Sequence, residues 1–192
     1  MERLTAAICS YNRADRLGRL IHSLHREVCA IPFEILVVDN NSNDNTREIL
    51  ESLQKEIGST LRFVTELQQG IAFARNRAIE ESMESDYLFF MDDDELPAPG
   101  ILQAALDALN QPDIMCAGGR VKVVFADGAR PEWLTDDLLG FLAEIDYGPQ
   151  GFVISDNSTP IWTANVAYRM TLFRNNPELR FDARYNRAGE AV

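Results

Sequence analysis

The chain has 192 residues, with 18 Lys and Arg against 30 Asp and Glu, and a formal net charge of −12. Its 46% hydrophobic and 25% charged residues set it apart from disordered chains, and its length suits one domain, residues 1–192, around one core. An acidic balance of this size excludes a nucleic-acid partner held through its phosphates and opposes docking on anionic lipid, because both depend on clustered cations.

Leu4 to Cys9 predicts a buried strand, and Leu17, Leu20, Ile21 and Leu24 fall at helical spacing within Ala14 to Glu27. Phe33 to Val38 predicts a second strand that ends in the polar turn Asp39 to Asp44. Asn45 and Glu48 have the spacing of a capping box for a helix through Ile57. A third strand is expected at Leu61 to Thr65, a third helix at Ile71 to Glu81 and a fourth strand at Tyr87 to Met91. Beyond Pro97 and Pro99, a helix from Ile101 to Leu109 leads to a strand within Ile114 to Phe125. Periodicity weakens from Asp127 to Asp156, where a long loop with one short helix near Asp137 to Leu142 is expected, and resumes at Trp162 to Arg169.

Alternating strands and helices imply an α/β fold, a mostly parallel sheet covered by helices on both faces. Ligands of such sheets bind outside the carboxyl ends of the strands. Ser10-Tyr11-Asn12-Arg13, the Asp39 turn and Asp92-Asp93-Asp94-Glu95 all follow predicted strands, so they should converge on one rim. Cys9, Cys29 and Cys116 are odd in number and far apart, which argues against a disulfide framework and for a reducing, cytoplasmic setting. No apolar run approaches the roughly 20 residues of a membrane helix, and the first residues lack a signal-peptide core.

Four consecutive carboxylates at a strand end repel one another unless a cation compensates them. Hard divalent cations such as Mn²⁺ and Mg²⁺ take carboxylate oxygens and share them with substrate phosphates, so metal–diphosphate binding is one reading of Asp92 to Glu95. Strand alternation would turn Asp92 and Asp94 to the cleft together and Asp93 elsewhere. A solvated acidic turn fits the same composition. Arg75, in the first turns of the third predicted helix, suits a diphosphate or base contact, or else a surface pair with Glu80 or Glu81. Asp39 suits a hydrogen bond from a nucleobase N–H or a ribose hydroxyl, or else turn chemistry, which is also the reading for Asn40, Asn41 and Asn43. His22 and His25, with no cysteine nearby, do not make a zinc site. A nucleophile elbow and a Gly-Lys-Ser/Thr phosphate loop are both missing from the sequence.

The order Ile8-Cys9-Ser10-Tyr11-Asn12-Arg13, Val37-Val38-Asp39-Asn40-Asn41-Ser42, Gly70 with Ala74-Arg75-Asn76, and Phe90-Met91-Asp92-Asp93-Asp94-Glu95 resembles family-2 glycosyltransferases of the GT-A fold. Trp162 to Arg169, Phe181-Asp182 and Gly189-Glu190 extend the resemblance over nearly the whole chain. It implies a Rossmann-like three-layer α/β/α sandwich, with residues 1–95 as the nucleotide-binding half and 96–192 as the acceptor-side half. It further implies that Asp39 and Arg75 contact the base, Tyr11 and Asn12 line its pocket, and Asp92 and Asp93 lie by the ribose or diphosphate. Asp94 would ligate Mn²⁺ or Mg²⁺ in a DxD-type motif, and Trp162, Ala164 and Asn165 would border the donor sugar and acceptor.

The implied reaction moves a sugar from a nucleotide-diphosphate donor, a UDP-sugar favoured, to a hydroxyl of a glycan, lipid-linked or other acceptor, with inversion. Polysaccharide or glycoconjugate synthesis for the cell envelope, in the cytoplasm or at the inner face of the membrane, is the implied setting. The family's last motif carries an acidic pair after its glycine. Here Glu190 is the candidate catalytic carboxylate, or else a neighbour of the base position, Ala191 stands at the aspartate position, and the sequence stops at Val192, as a chain truncated at its C-terminal end would. A nucleotide-sugar-binding module of weak activity is therefore the alternative reading. A sugar nucleotidyltransferase is a third, disfavoured because no glycine-rich, lysine-containing loop follows the first strand. Asp92 to Glu95 and residues 127–156 together hold −10 of the net charge, the first as the metal seat and the second as a loop facing the acceptor.

Overall fold

The computed structural model describes residues 1–125, 128, 130–155 and 158–186. Its elements in chain order are β1 (Leu4–Ser10), α1 (Ala14–His25), β2 (Phe33–Asp39), α2 (Thr46–Ile57), β3 (Leu61–Thr65), α3 (Ile71–Glu81) and β4 (Tyr87–Asp92). There follow α4 (Ile101–Leu109), β5 (Cys116–Gly118), β6 (Asn165–Arg169) and α5 (Thr171–Asn175). The strands form one sheet in the order β3-β2-β1-β4-β6-β5. β1 to β4 are parallel, whereas β6 runs antiparallel to both of its neighbours.

Period-two alternation divides the strands between two cores. Leu4, Ala6 and Ile8 of β1, Ile35 and Val37 of β2, and Tyr87, Phe89 and Met91 of β4 pack with Leu17, Leu20, Ile21 and Leu24 of α1, Leu50 of α2 and Leu102 and Leu106 of α4. On the opposite face Ala7, Cys9, Leu36, Val38, Leu88 and Phe90 pack against Ala74, Ala78 and Ile79 of α3 and Phe173 of α5. Helices thus cover both faces, as the alternation of elements requires. Every residue of β1 is buried, as befits a central strand covered on both sides.

Local chemistry departs from expectation at three places. Asn45 makes no side-chain cap to α2; Asp44 Oδ1 instead accepts from the Thr46 N–H at 3.0 Å, and the expected capping box is absent. The strand foreseen within Ile114 to Phe125 shortens to Cys116–Gly118 plus one bridge between Val121 and Ile145. The short helix expected near Asp137 is a 3-10 segment, Asp136–Leu142. Among the described residues no helix is long and apolar enough to cross a membrane.

One polar relay crosses the α3 face. Arg62 of β3 donates through Nε to Glu34 Oε2 at 2.9 Å and through Nη1 to Glu81 Oε2 at 2.8 Å, while Thr5 Oγ1 donates to Glu34 Oε1 at 2.9 Å. Burial works to raise the Glu81 carboxyl, but hydrogen bonds from Arg77 and Arg62 outweigh it and hold it below the usual range. This contribution is complete above the unfolded carboxylate pKa, about 4.3, and is lost as pH falls through the lower folded value. Arg62→Met keeps the aliphatic stem but leaves Glu34 without its counter-charge and Glu81 with Arg77 alone. We expect it to lower unfolding free energy by about 2 kcal/mol at neutral pH, below the ~3–5 kcal/mol of fully buried pairs because the site is partly wet. Urea titrations at pH 7 and near pH 4 check this: the deficit should shrink at the lower pH, and a deficit independent of pH would show that lost packing is the cause.

Candidate active site

The chain leaves β1 in one direction through β2 and β3, then returns to the other side of β1 with β4. The carboxyl ends of β1 and β4 therefore flank a topological switch point, where parallel sheets open a crevice. Ser10 to Asn12 and Asp92 to Asp94 lie at that point.

Asp92 ends β4, two residues beyond Phe90, and so projects to the α3 face. There it meets Arg75, whose Nη2 donates to Asp92 Oδ1 at 3.2 Å. The Arg75 side chain is 15% exposed and its Cζ lies 5.6 Å from the centre of the Phe181 ring. The alternative pairing of Arg75 with Glu81 does not occur: Arg77 takes Glu81 instead, its Nε donating at 2.9 Å. Asp93 faces the α1 side, accepting from Ser10 Oγ at 2.7 Å with Arg13 Nε at 3.9 Å. The strand ends at Asp92, so alternation does not carry Asp94 back to the α3 face. Its carboxylate lies 3.7 Å from Arg16 Nη1 of α1, and the expectation that Asp92 and Asp94 share one face is corrected accordingly.

Burial raises both the Asp92 and the Asp93 carboxyl above the ordinary range; Arg75 opposes this at Asp92, and the Ser10 hydrogen bond and Arg13 oppose it at Asp93. Glu95 is pushed up to about 8, by burial first and then by the charge of Asp92. Cys9, beneath Arg75, is pushed up to about 12 by burial, so its thiol is no nucleophile.

Asp39 is 4% exposed, and its Oδ1 accepts from the Ser42 N–H at 3.0 Å. The turn reading of Asp39 thus holds for one carboxylate oxygen. Asn12, at φ 54°, accepts from the Asn43 N–H at 2.9 Å and donates its own N–H to Ser42 Oγ at 2.9 Å, joining the β1 and β2 ends. Tyr11 beside it is partly buried. Asn40 does more than turn: its Nδ2 donates to the carbonyls of Glu66 and Gln68 at 3.1 and 2.7 Å, and its Oδ1 accepts from Gly70 N at 2.8 Å. The start of α3 is thereby tied to the end of β2.

Asn165 opens β6 opposite Met91, which sets Trp162, Ala164 and Asn165 beside the end of β4. Ala164 is buried and Trp162 is 43% exposed. Asn165 Nδ2 donates to the Arg120 carbonyl at 2.9 Å and its carbonyl accepts from Gly119 N at 3.0 Å; a Cβ on Gly119 would run into the Asn165 amide. Glu190, with Ala191, lies outside the described residues. The sequence assigns no site role to Ser10, Arg13, Asn76 or Phe181, which stand in the motifs of the resemblance, or to Arg16 and Asn186; all six contact the site's residues or their supports. Asn76 and Phe181 are visible as motif positions but their pairing across 105 residues is not, and Asn186, 114 residues from Ala72, offers no signal.

Among the described residues no three or more His, Cys, Asp or Glu side chains converge to hold a metal ion. The donor set nevertheless fits a divalent cation of the kind held by one or two carboxylates and completed by substrate phosphates and water. The Asp94 side chain, 53% exposed, is more open than those of Asp92 at 41% and Asp93 at 15%.

The family model for glycosyl transferase family 2 matches residues 5–177. Among curated proteins, the glycosyltransferase YfnE of Bacillus subtilis (strain 168), itself of uncharacterized function, is 33% identical over 106 residues, 55% of this chain and 26% of YfnE. Among solved structures, S. aureus TarS residues 1–349 in complex with UDP superposes with a TM-score of 0.70 at 20% identity, covering 98% of this chain and 52% of that one. The mannosyltransferase PcManGT of Pyrobaculum calidifontis, in complex with GDP-Man and Mn²⁺, gives 0.62 at 21% identity over 90% of this chain and 46% of its own. The fold is that of GT-A glycosyltransferases. The chain spans about half the length of these structures, and about a quarter of YfnE.

Proposed function

The chain belongs to glycosyl transferase family 2, and on that premise we propose that it transfers a sugar from a nucleoside-diphosphate donor to an acceptor hydroxyl, with inversion at the anomeric carbon. The observation that carries this is the Arg75–Asp92 pair at the end of β4, on the same carboxyl rim of the sheet as Asp39 at the end of β2 and Asp94 just beyond β4. Asp39 offers its second carboxylate oxygen to a base N–H, with Tyr11 and Asn12 beside it. Arg75 supplies donors held by Asp92, and Asp92 and Asp93 stand where the ribose and diphosphate would lie. Asp94 would hold the divalent cation, which when bound neutralises charge on the leaving diphosphate. Asn165, Ala164 and Trp162 border the sugar and acceptor side.

In the displacement, the acceptor oxygen bonds to the anomeric carbon as the bond to the diphosphate oxygen breaks, and the acceptor proton passes to a carboxylate, for which Glu190 is the candidate. The two structural neighbours were captured with UDP and with GDP-Man and Mn²⁺, which supports a nucleotide-diphosphate donor and a divalent metal for this chain. The acceptor is a hydroxyl of a glycan or lipid-linked glycan, in polysaccharide or glycoconjugate synthesis for the cell envelope. The location is the cytoplasm or the inner face of the membrane. Ala191 at the family's aspartate position favours, as a second reading, a module that binds donor and turns it over poorly.

Calorimetric titration with uridine, guanosine and thymidine diphosphates, with and without Mn²⁺, tests the assignment. One nucleotide should bind at least about tenfold more tightly with the metal, a gain of ~1.4 kcal/mol. Equal affinities would remove the metal, and no binding by any of the three would remove the donor site. Binding of a nucleotide sugar without hydrolysis or transfer would leave the second reading standing.

A further inference from the structure

Asn76 follows Arg75 on α3 but points to a different task. Its Nδ2 donates to the Phe181 carbonyl at 2.9 Å and its Oδ1 accepts from the Phe181 N–H at 2.8 Å, so one amide holds both backbone groups of a residue 105 positions away. Phe181 belongs to no helix or strand, and this grip satisfies both of its backbone hydrogen-bonding groups. Its ring meets Phe90 of β4 edge-on, centroids 5.9 Å apart, and lies under the Arg75 guanidinium. Arg75 is thereby bounded on two sides, by an aromatic face below and by the Asp92 carboxylate at its tip. A second fastening lies one turn earlier on α3: Asn186 Oδ1 accepts from the Ala72 N–H at 2.8 Å. The Asn186 amide occupies the space a side chain at Gly70 would need, at a φ of 141° that favours glycine. The strap from Phe181 to Asn186 is thus tied to α3 on either side of Arg75.

We propose that Asn76 and Phe181 are positioning residues for donor binding, in that the docked strap fixes the Arg75 guanidinium in the orientation that receives the nucleotide. This inference rests on the donor-binding role of Arg75 given above. An arginine has many rotamers, and ordering it only when ligand arrives weakens binding; a preset cation–π floor and ion-pair stop remove that cost in advance. Asparagine suits the grip because it carries a donor and an acceptor on a short stem, whereas aspartate lacks the donor.

The test is calorimetry with uridine diphosphate and Mn²⁺, or whichever of the three nucleotides the wild type binds, on the full chain. Variants are Arg75→Ala, Asn76→Ala, Phe181→Leu, Phe181→Tyr, and the doubles of Asn76→Ala and Phe181→Leu with Arg75→Ala, each with a thermal melt. Asn76→Ala and Phe181→Leu should each weaken binding by about 5- to 10-fold, between the values of an exposed and a fully desolvated cation–π contact. Phe181→Tyr, which keeps the aromatic face, should stay within about twofold of wild type. In the Arg75→Ala background neither substitution should weaken binding further. The Arg75 Nε–H resonance of the ligand-free protein should broaden in Phe181→Leu and not in Phe181→Tyr. Unchanged affinity and an unchanged resonance in folded Phe181→Leu would overturn the proposal, as would additive losses in the doubles. If Asn76→Ala does not fold, the Phe181→Leu and Phe181→Tyr pair decides. Wild-type affinity in Arg75→Ala would instead overturn the donor role of Arg75, and this inference with it, an outcome distinct from failure of the strap alone.

Discussion

Asp94→Ala is expected to lower the rate of sugar transfer by about 1,000-fold, or ~4 kcal/mol of transition-state stabilisation, while the protein stays folded. The size follows from what is lost: the carboxylate proposed to hold the divalent cation against the diphosphate, where negative charge grows as the glycosidic bond breaks. Folding should be indifferent, because Asp94 is 53% exposed and its ion pair to Arg16, at 3.7 Å, is a surface contact worth about 0–1 kcal/mol. Relief of repulsion from Asp92 and Glu95 works in the opposite direction. Single-turnover transfer, thermal melts and nucleotide binding with and without Mn²⁺ check the result together. The metal advantage in binding should vanish with the carboxylate; a variant that keeps both rate and metal advantage would move the cation to another residue.

Arg75→Ala is expected to weaken nucleoside-diphosphate binding by about 30- to 100-fold, the equivalent of the ~2–3 kcal/mol carried by hydrogen bonds to a charged partner. Lysine should not rescue it, since a guanidinium offers a planar fork of donors and an ammonium offers a point charge. The stability loss should be about 1 kcal/mol, because water reaches the Asp92 carboxylate left behind, whose side chain is 41% exposed. Calorimetry at fixed Mn²⁺ and a urea titration separate the two effects. A fall in affinity that merely tracks a fall in folded fraction would remove Arg75 from the site.

The parts of this molecule that were legible in advance are those whose signal is local and periodic. Leu17, Leu20, Ile21 and Leu24 mark one face of α1 at 3.6-residue spacing, and the apolar runs of β1, β2 and β4 end where polar residues begin, which places the rim of the sheet. Resemblance to a family then attached chemistry to Asp39, Arg75, Asp92 and Asp94. What escaped was set by contacts distant in sequence or by competition between local groups. Asp44 displaced the expected Asn45 box because its carboxylate already faces the Thr46 N–H. β5 shortened because only Cys116 to Gly118 find β6 to pair with, a partner about fifty residues later. Asp94 left the face of Asp92 because the strand stops one residue after Met91, a fact alternation alone does not contain. Asn76 gripping Phe181 could be read only once the chain was folded.

The insertion of β6 between β4 and β5 has a consequence for the order in which the molecule assembles. β2 and β3 each close a modest loop, Leu4 pairing with Phe33 and Ile35 with Leu61, whereas β4 returns to β1 across 83 positions, Tyr87 pairing with Leu4. β6 must in turn return to β4 from 82 positions away, Tyr87 pairing with Arg169, before the edge of β4 is covered. Loop-closure entropy rises with that separation, and contacts of high contact order form slowly. Until β6 docks, Leu88 and Phe90 lie at an unprotected strand edge, a template for pairing with another chain. The segment that carries Asn165 to the site is thus the same one that covers the open edge of β4, so a single long-range pairing both protects that edge and completes the site.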